Sequence, residues 1–162
     1  MEIREAGAAD WPAIWPFLRG IVAAGETFSW PRDIDEATAR TFWTAEPPGR
    51  TVVAVDGDGA VLGTATMGAN HMGPASHIAT ASFMVDPAHA GRGVGRALGE
   101  HVMAWAPANG FRAMQFNAVV ETNERAVHLW RSLGMEIVAT LKEGFLHPQH
   151  GYVGLHIMYR VF

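Results

Sequence analysis

Cysteine is absent from this chain of 162 residues. That excludes disulfides, thiolate metal sites and a covalent intermediate on cysteine, which narrows the mechanisms open to the chain. Charge is sparse too: charged residues make up 17%, the net charge is -4, and the 12 basic residues are scattered. Nucleic-acid binding draws on clustered cations that neutralise phosphates, so no DNA or RNA partner is expected. No apolar run reaches the length of a membrane span, and the pattern contains no repeat or linker. Met1-Glu2-Ile3-Arg4-Glu5 puts acids where an export signal has a positive segment followed by an apolar one, so the expected location is the cytoplasm.

The 49% apolar content is enough to build a core, and the length suits a single domain spanning residues 1–162. Ile3 to Ala6 reads as a short strand. Asp10 stands at a helix N-cap ahead of Trp11, Ile14, Trp15, Leu18, Ile21 and Val22, whose spacing makes one apolar stripe. Pro16 predicts a kink or an irregular start, and Gly25 the end of the helix. A second helix is expected from about Asp35 to Trp43. Strands at Thr51–Val55 and Val61–Met67 flank the hairpin turn Asp56-Gly57-Asp58-Gly59. A third, longer strand runs from His77 to Val85.

Val94, Ala97, Leu98, Val102 and Trp105 form a helical stripe that Pro107, Asn109 and Gly110 bring to an end. Phe111 to Val119 is extended, with Met114 and Phe116 on one face and Gln115 and Asn117 on the other. Ala126, Leu129, Trp130 and Leu133 mark a last helix, with Thr122 or Asn123 as cap and Gly134 closing it. Glu136–Leu141 reads as a strand, Lys142–Gly151 as a loop, and Tyr152–Phe162 as a final strand.

Between the third strand and the following helix lies Gly91-Arg92-Gly93-Val94-Gly95. Closely spaced glycines at a helix start let several N–H groups converge where the helix dipole is positive, which suits a phosphate. A nucleoside-triphosphate loop would end in Gly-Lys-Ser/Thr, but Gly95 is followed by Arg96-Ala97. A dinucleotide fingerprint would need glycine at Arg96 or at Leu98. What remains is x-G-x-G-x-G opening an amphipathic helix. The same turn also serves as a tight strand-to-helix connection without a ligand.

The run Phe83-Met84-Val85-Asp86-Pro87-Ala88-His89-Ala90-Gly91-Arg92-Gly93-Val94-Gly95-Arg96-Ala97-Leu98 resembles the acyl-CoA motif of the GNAT superfamily of N-acyltransferases. Ala90 stands where that pattern has Gln or Arg. Asn123-Glu124-Arg125-Ala126-Val127-His128-Leu129-Trp130 resembles the second CoA-binding helix of the superfamily, with Trp130 in place of a tyrosine that often protonates the leaving thiolate. The resemblance implies an α/β (α+β) fold: a mixed, mostly antiparallel seven-stranded sheet with a central splay, flanked by about four helices.

It also implies acetyl-CoA as donor cosubstrate, with no metal. Gly91, Arg92, Gly93, Val94, Gly95 and Arg96 would hold the pyrophosphate, while Asn123 and Ala126 would meet the pantetheine arm. Met84 and Val85 would offer main-chain donors, Val85 toward the thioester oxygen, and Asn117 would orient the acetyl group or the amine across the splay. Glu26, in the loop after the first helix, is the first candidate base, ahead of His77, Glu121, His147 and His156. The acceptor pocket is expected from Glu26, Phe28, Trp30, His77, Phe145 and Tyr152.

Each of these readings has a plainer counterpart. Asn123 also works as a helix cap, Asn117 as a satisfied strand residue, Glu26 as a solvated acid, and Trp130 as core packing. The expected activity is transfer of acetyl to a small-molecule amine such as an amino acid, an amino-acid analogue or a similar amine. A homodimer is a candidate assembly, and a non-catalytic acyl-CoA-binding module is the alternative class.

Overall fold

A computed structural model describes all residues, 1–162. Seven strands form one sheet: β1 Glu2–Glu5, β2 Arg50–Val55, β3 Val61–Ala69, β4 Ile78–Val85, β5 Ala113–Val120, β6 Glu136–His147 and β7 Gly151–Val161. Their order is β1-β2-β3-β4-β5-β7-β6, antiparallel at every junction except β4–β5. Four helices flank the sheet: α1 Trp11–Ala24, α2 Glu36–Trp43, α3 Val94–Ala108 and α4 Glu124–Ser132. No helix is long and apolar enough to cross a membrane.

Two cores lie on opposite faces of the sheet because strand side chains alternate. On one face Ile14, Leu18 and Val22 of α1 and Ala39 and Trp43 of α2 pack on Val53, Val55 and Met84. On the other, Val94, Leu98, Val102 and Trp105 of α3 and Trp130 of α4 pack on Val52, Ala54, Leu62, Ala65 and Phe116. Each Val, Leu, Ile, Phe or Met side chain among them, taken from water, contributes about 1.5–3 kcal/mol. The buried Thr64 is satisfied on both sides: its hydroxyl donates to the Val52 carbonyl at 2.8 Å and accepts from Trp43 Nε1 at 3.0 Å.

The structure corrects one expectation and adds detail to two others. β6 continues to His147, so residues 142–147 belong to a strand and not to a loop. A register break between Leu141 and Phe145 lets the chain pass through Glu143 at φ 55 and resume pairing, and this hides the strand from a period-2 reading. α1 is continuous through Pro16, its sixth residue, where the missing N–H leaves the Pro12 carbonyl without its helical donor, and it begins behind a 3-10 turn at Ala8–Asp10. Asp10 stands at the N-cap of α1 as expected, but its side chain bonds none of that helix's amides. Its carboxylate instead accepts from Arg4 Nη2 at 2.7 Å, Arg4 Nη1 at 2.8 Å and the Gly7 amide at 2.7 Å.

Those bonds, the Arg4 pair first, hold the Asp10 carboxyl below its usual range. A carboxyl lowered by folding adds stability above its unfolded pKa and loses it as pH falls through the folded value. Burial, with Arg50 adding to it, likewise keeps the His101 imidazole below its ordinary value. Its contribution is full above the ordinary imidazole pKa and falls away on acidification. Asp10→Asn is therefore expected to lower the melting temperature at neutral pH, and its melt should converge with that of the parent at the acid end. Thermal melts across the carboxylate range check this, and a constant difference at every pH would refute it.

Candidate active site

β4 and β5 run parallel but pair only at Ile78↔Ala113 and Ala79↔Met114. Beyond those two pairs the strands separate. On β5 the ladder to β7 slips between Phe116 and Val119, so Asn117 and Ala118 form a bulge that bends the strand away. The direction of the β4 main chain follows from its ends: Asp86 N donates to Leu62 O and Ile78 O accepts from Asn70 N, both on the β3 side, while His77 O accepts from Arg112 N on the β5 side. Peptide groups alternate along a strand, so those of Ala81, Phe83 and Val85 face the gap. The amide of Met84 belongs to the β3 ladder, opposite Thr64, and its side chain is buried against α1 and α2.

At the C-terminal end of β4 the chain turns through Pro87–His89 into the glycines. Gly91 and Gly93 have φ of 80 and 78, the left-handed region where a Cβ is strained. The first amide of α3 to bond is that of Ala97, which donates to Gly93 O at 3.0 Å. The six preceding amides, from Gly91 to Arg96, donate to no group in the protein. α4 lies close beside α3 because Gly99 has no side chain: a Cβ there would meet Leu133 at 2.7 Å and Trp130 at 2.9 Å. Two helix N-termini, those of α3 and α4, thus open on the same place, with Arg96 and Arg125 in their first turns.

A cleft of about 760 Å³ passes from these N-termini through the splay to the loop after α1. Gly91, Gly93, Arg96, Asn123, Arg125 and Ala126 line it on the α3–α4 face; Gly20, Ile21, Glu26, Phe28 and Trp30 line it on the α1–α2 face; β4 and β5 form its walls. A slot through a sheet, with free amides and positive dipole ends at one mouth, can hold a phosphate-bearing carrier on one face and present its far end to a second molecule on the other.

A family model described as the Acetyltransferase (GNAT) family matches residues 15–135. The chain belongs to that family. As a GNAT chain it is 55% identical to a GCN5-related N-acetyltransferase from Kribbella flavida, with a TM-score of 0.97 over 99% of this chain and 97% of that one. A GNAT superfamily phosphinothricin acetyltransferase from Sinorhizobium meliloti, solved with acetyl-CoA, is 28% identical, with a TM-score of 0.87 over 99% of this chain and 88% of that one. The N-acetyltransferase aca1 of Schizosaccharomyces pombe is 32% identical over 115 residues, 70% of this chain and 55% of that protein, so the chain spans just over half the length of that curated relative.

The GNAT cleft brings together Glu26, Phe28, Trp30, Met84, Val85, Gly91, Gly93, Val94, Gly95, Arg96, Asn117, Asn123 and Ala126. Arg92 is not in the lining. Its Nη1 lies 3.0 Å from His89 Nδ1, and since a guanidinium only donates, that ring nitrogen accepts. His77 is exposed at the joined end of β4, remote from the open end of the splay. Phe145 packs with Val120 and Val153 in a separate small core, and Tyr152 is 67% exposed on the outer hairpin. Phe145 and Tyr152 stand outside the cleft because the chain there is the β6–β7 hairpin and not a loop that would have carried them inward, while His77 is held at the closed end of the splay by the pairing of its carbonyl with Arg112.

Other candidate bases are also committed elsewhere. Glu121 accepts from the Gly154 amide at 2.6 Å, His156 Nδ1 pairs with Thr140, and His147 Nδ1 accepts from the amides of Gln149 and His150. No three His, Asp or Glu side chains gather as a metal site would require. Trp130 is buried against Phe83 and Phe116, with ring centroids 4.5 and 5.0 Å away. Asn123 Oδ1 accepts from the Ala126 amide at 3.4 Å as the α4 cap.

Asn117 sits in a carboxamide network that sequence reasoning missed. Its Nδ2 donates to Asn70 Oδ1 at 2.7 Å and reaches Thr80 Oγ1 at 3.5 Å, while its Oδ1 accepts from Gln115 Nε2 at 2.9 Å. Asn70 lies 47 residues away in sequence, at the end of β3, and spans the joined end of the splay. Arg125 was missed as well, although its place two residues after a capping Asn was a usable signal.

Proposed function

We propose that residues 1–162 work as one acetyl-CoA-dependent N-acetyltransferase domain that passes acetyl directly to the amine of a small molecule. The observation that carries this reading is the run of six unbonded amides from Gly91 to Arg96 at the mouth of a slot through the sheet. The fit to acetyl-CoA rests on those donors, on the cations Arg96 and Arg125, and on a slot long enough to cross the sheet. Bound there, the thioester supplies an electrophilic carbonyl.

The amides of the turn and the two dipole ends hold the diphosphate, while the main chain of Ala81 and Phe83 lies along the slot for the pantetheine amides. The Val85 amide, without a partner strand, donates to the thioester oxygen as negative charge develops on it. Asn117, fixed by Asn70 and Gln115, orients the acetyl end. Glu26, exposed at the α1–α2 side of the lining, takes the ammonium proton directly or through water. No tyrosine lines the cleft, so in this reading the departing thiolate takes its proton from solvent. Holding both reactants in line contributes about 7–11 kcal/mol to lowering the barrier.

The test mixes protein, acetyl-CoA and an amine panel and follows free thiol. Amine-dependent release is expected; acetyl-CoA binding with no release on any amine would favour the non-catalytic module. Glu26→Gln should leave acetyl-CoA affinity unchanged and lower kcat about a hundredfold or more, read by titration calorimetry beside steady-state rates.

A homodimer, in this reading, uses the outer edge of β6. Val138, Leu141 and Leu146 are 57%, 48% and 62% exposed on that edge strand, an arrangement that monomers avoid. Antiparallel pairing of two β6 strands centred on Ala139 sets Glu136 of one copy against Lys142 of the other. Leu146→Glu is expected to shift sedimentation toward the monomer.

A further inference from the structure

We infer that the acceptor is an amine cation with an apolar body and no carboxylate, phosphinate or phosphate group of its own. This rests on the proposed function, with donor on the α3–α4 face and acceptor on the α1–α2 face, and it selects within the acceptors expected there: simple amines over free amino acids.

The charges of the lining divide by sheet face. On the α3–α4 side they are the cations Arg96 and Arg125, each in a helix first turn where the dipole adds to its potential. On the α1–α2 side the one charged lining residue is Glu26. The polar groups beside it, Thr80, Ser82 and Asn117, are neutral.

No cation lines that side. Arg32 is absent from the lining, its Nε donating to the Ala23 carbonyl at 2.7 Å while its stem covers Gly25. Arg19 is exposed on α1 and also outside the lining. His71, beside Asn70 at 3.2 Å, is outside the lining too.

An anion brought into such a mouth would lose water without gaining a cation or a fork of N–H donors, and it would meet Glu26 as a like charge. A cation meets the opposite conditions. Glu26 attracts it, and Phe28 and Trp30 offer ring faces held by an aromatic cluster: Phe28 and Trp30 are 5.8 Å apart, and each lies 6.1 Å from Trp43. The slot is thus polarised, with the polyanionic donor drawn to one face and the ammonium to the other. The same polarity keeps an anionic acceptor from competing for the donor's cations through the splay.

The experiment measures kcat/KM for matched pairs that differ by one carboxylate, tyramine against tyrosine and phenethylamine against phenylalanine, with phenylalanine methyl ester as the neutralised acid. The amines and the ester are expected to exceed the free acids by about tenfold or more. Ser29→Arg, at an exposed residue of the same lining, adds a cation and should move the acid-to-amine ratio toward the acid by about tenfold. Free acids turned over as well as their amines by the parent protein would overturn the inference and leave the transferase reading standing. Calorimetric binding of acetyl-CoA with no thiol release from any pair would overturn both.

Discussion

Replacing Gly93 with valine is expected to weaken acetyl-CoA binding by about tenfold to a hundredfold, the strain and the steric block acting together. Gly93 is the N-cap of α3 at φ 78 and ψ 7, a left-handed conformation that costs a β-branched residue about 1–2 kcal/mol. No heavy atom of the protein lies within 4 Å of where its Cβ would stand, so the added side chain projects into the space a diphosphate would occupy. Gly110→Val separates the two effects. Gly110 has φ 83, no neighbour within 4 Å of its Cβ position and a place after α3, outside the cleft. Its substitution should lower the melting temperature and spare acetyl-CoA affinity in a calorimetric titration. Equal affinity losses for both variants, or none for Gly93→Val, would remove the diphosphate from this turn.

The second large effect concerns one peptide N–H. Val85→Pro is expected to lower kcat about 10²–10³-fold, the usual cost of losing a donor to developing negative charge, while acetyl-CoA still binds. Proline is tolerated in a strand where the missing N–H faces no partner, and Val85 meets that condition on the open side of β4. Met84→Pro is the contrasting variant: its N–H belongs to the β3 ladder and its side chain is 2% exposed, so it should lose stability first. Single-turnover thiol release and thermal melts together distinguish the two. A Val85→Pro variant with undiminished kcat would mean that another group meets the oxygen.

The pair also illustrates what the sequence could and could not convey. The glycine turn, the α4 cap and all four helices are legible because their signals are local: a stripe at 3.6-residue spacing, a capping Asn, a glycine where φ must be positive. The phase of β4 is not local. Met84 and Val85 are adjacent, and only the register with β3 decides which amide is free. The Asn117 network needs β3 and β5 brought to one place, which no spacing announces. β6 was truncated at Leu141 because two extra residues before Phe145 break the alternation, and with that error Phe145 and Tyr152 were drawn toward a pocket they do not reach. Glu26 was reached through resemblance. The contrast of charge between the two faces of its cleft became visible only with all the lining residues in place.

The sheet's halves, β1 to β4 and β5 to β6, are stitched across the middle by two residue pairs at one end. Each half keeps its own ladder complete whatever lies between them, so loading and unloading the slot breaks no strand-to-strand bond. In the proposed reaction nothing has to unzip: the passage is built into the resting architecture.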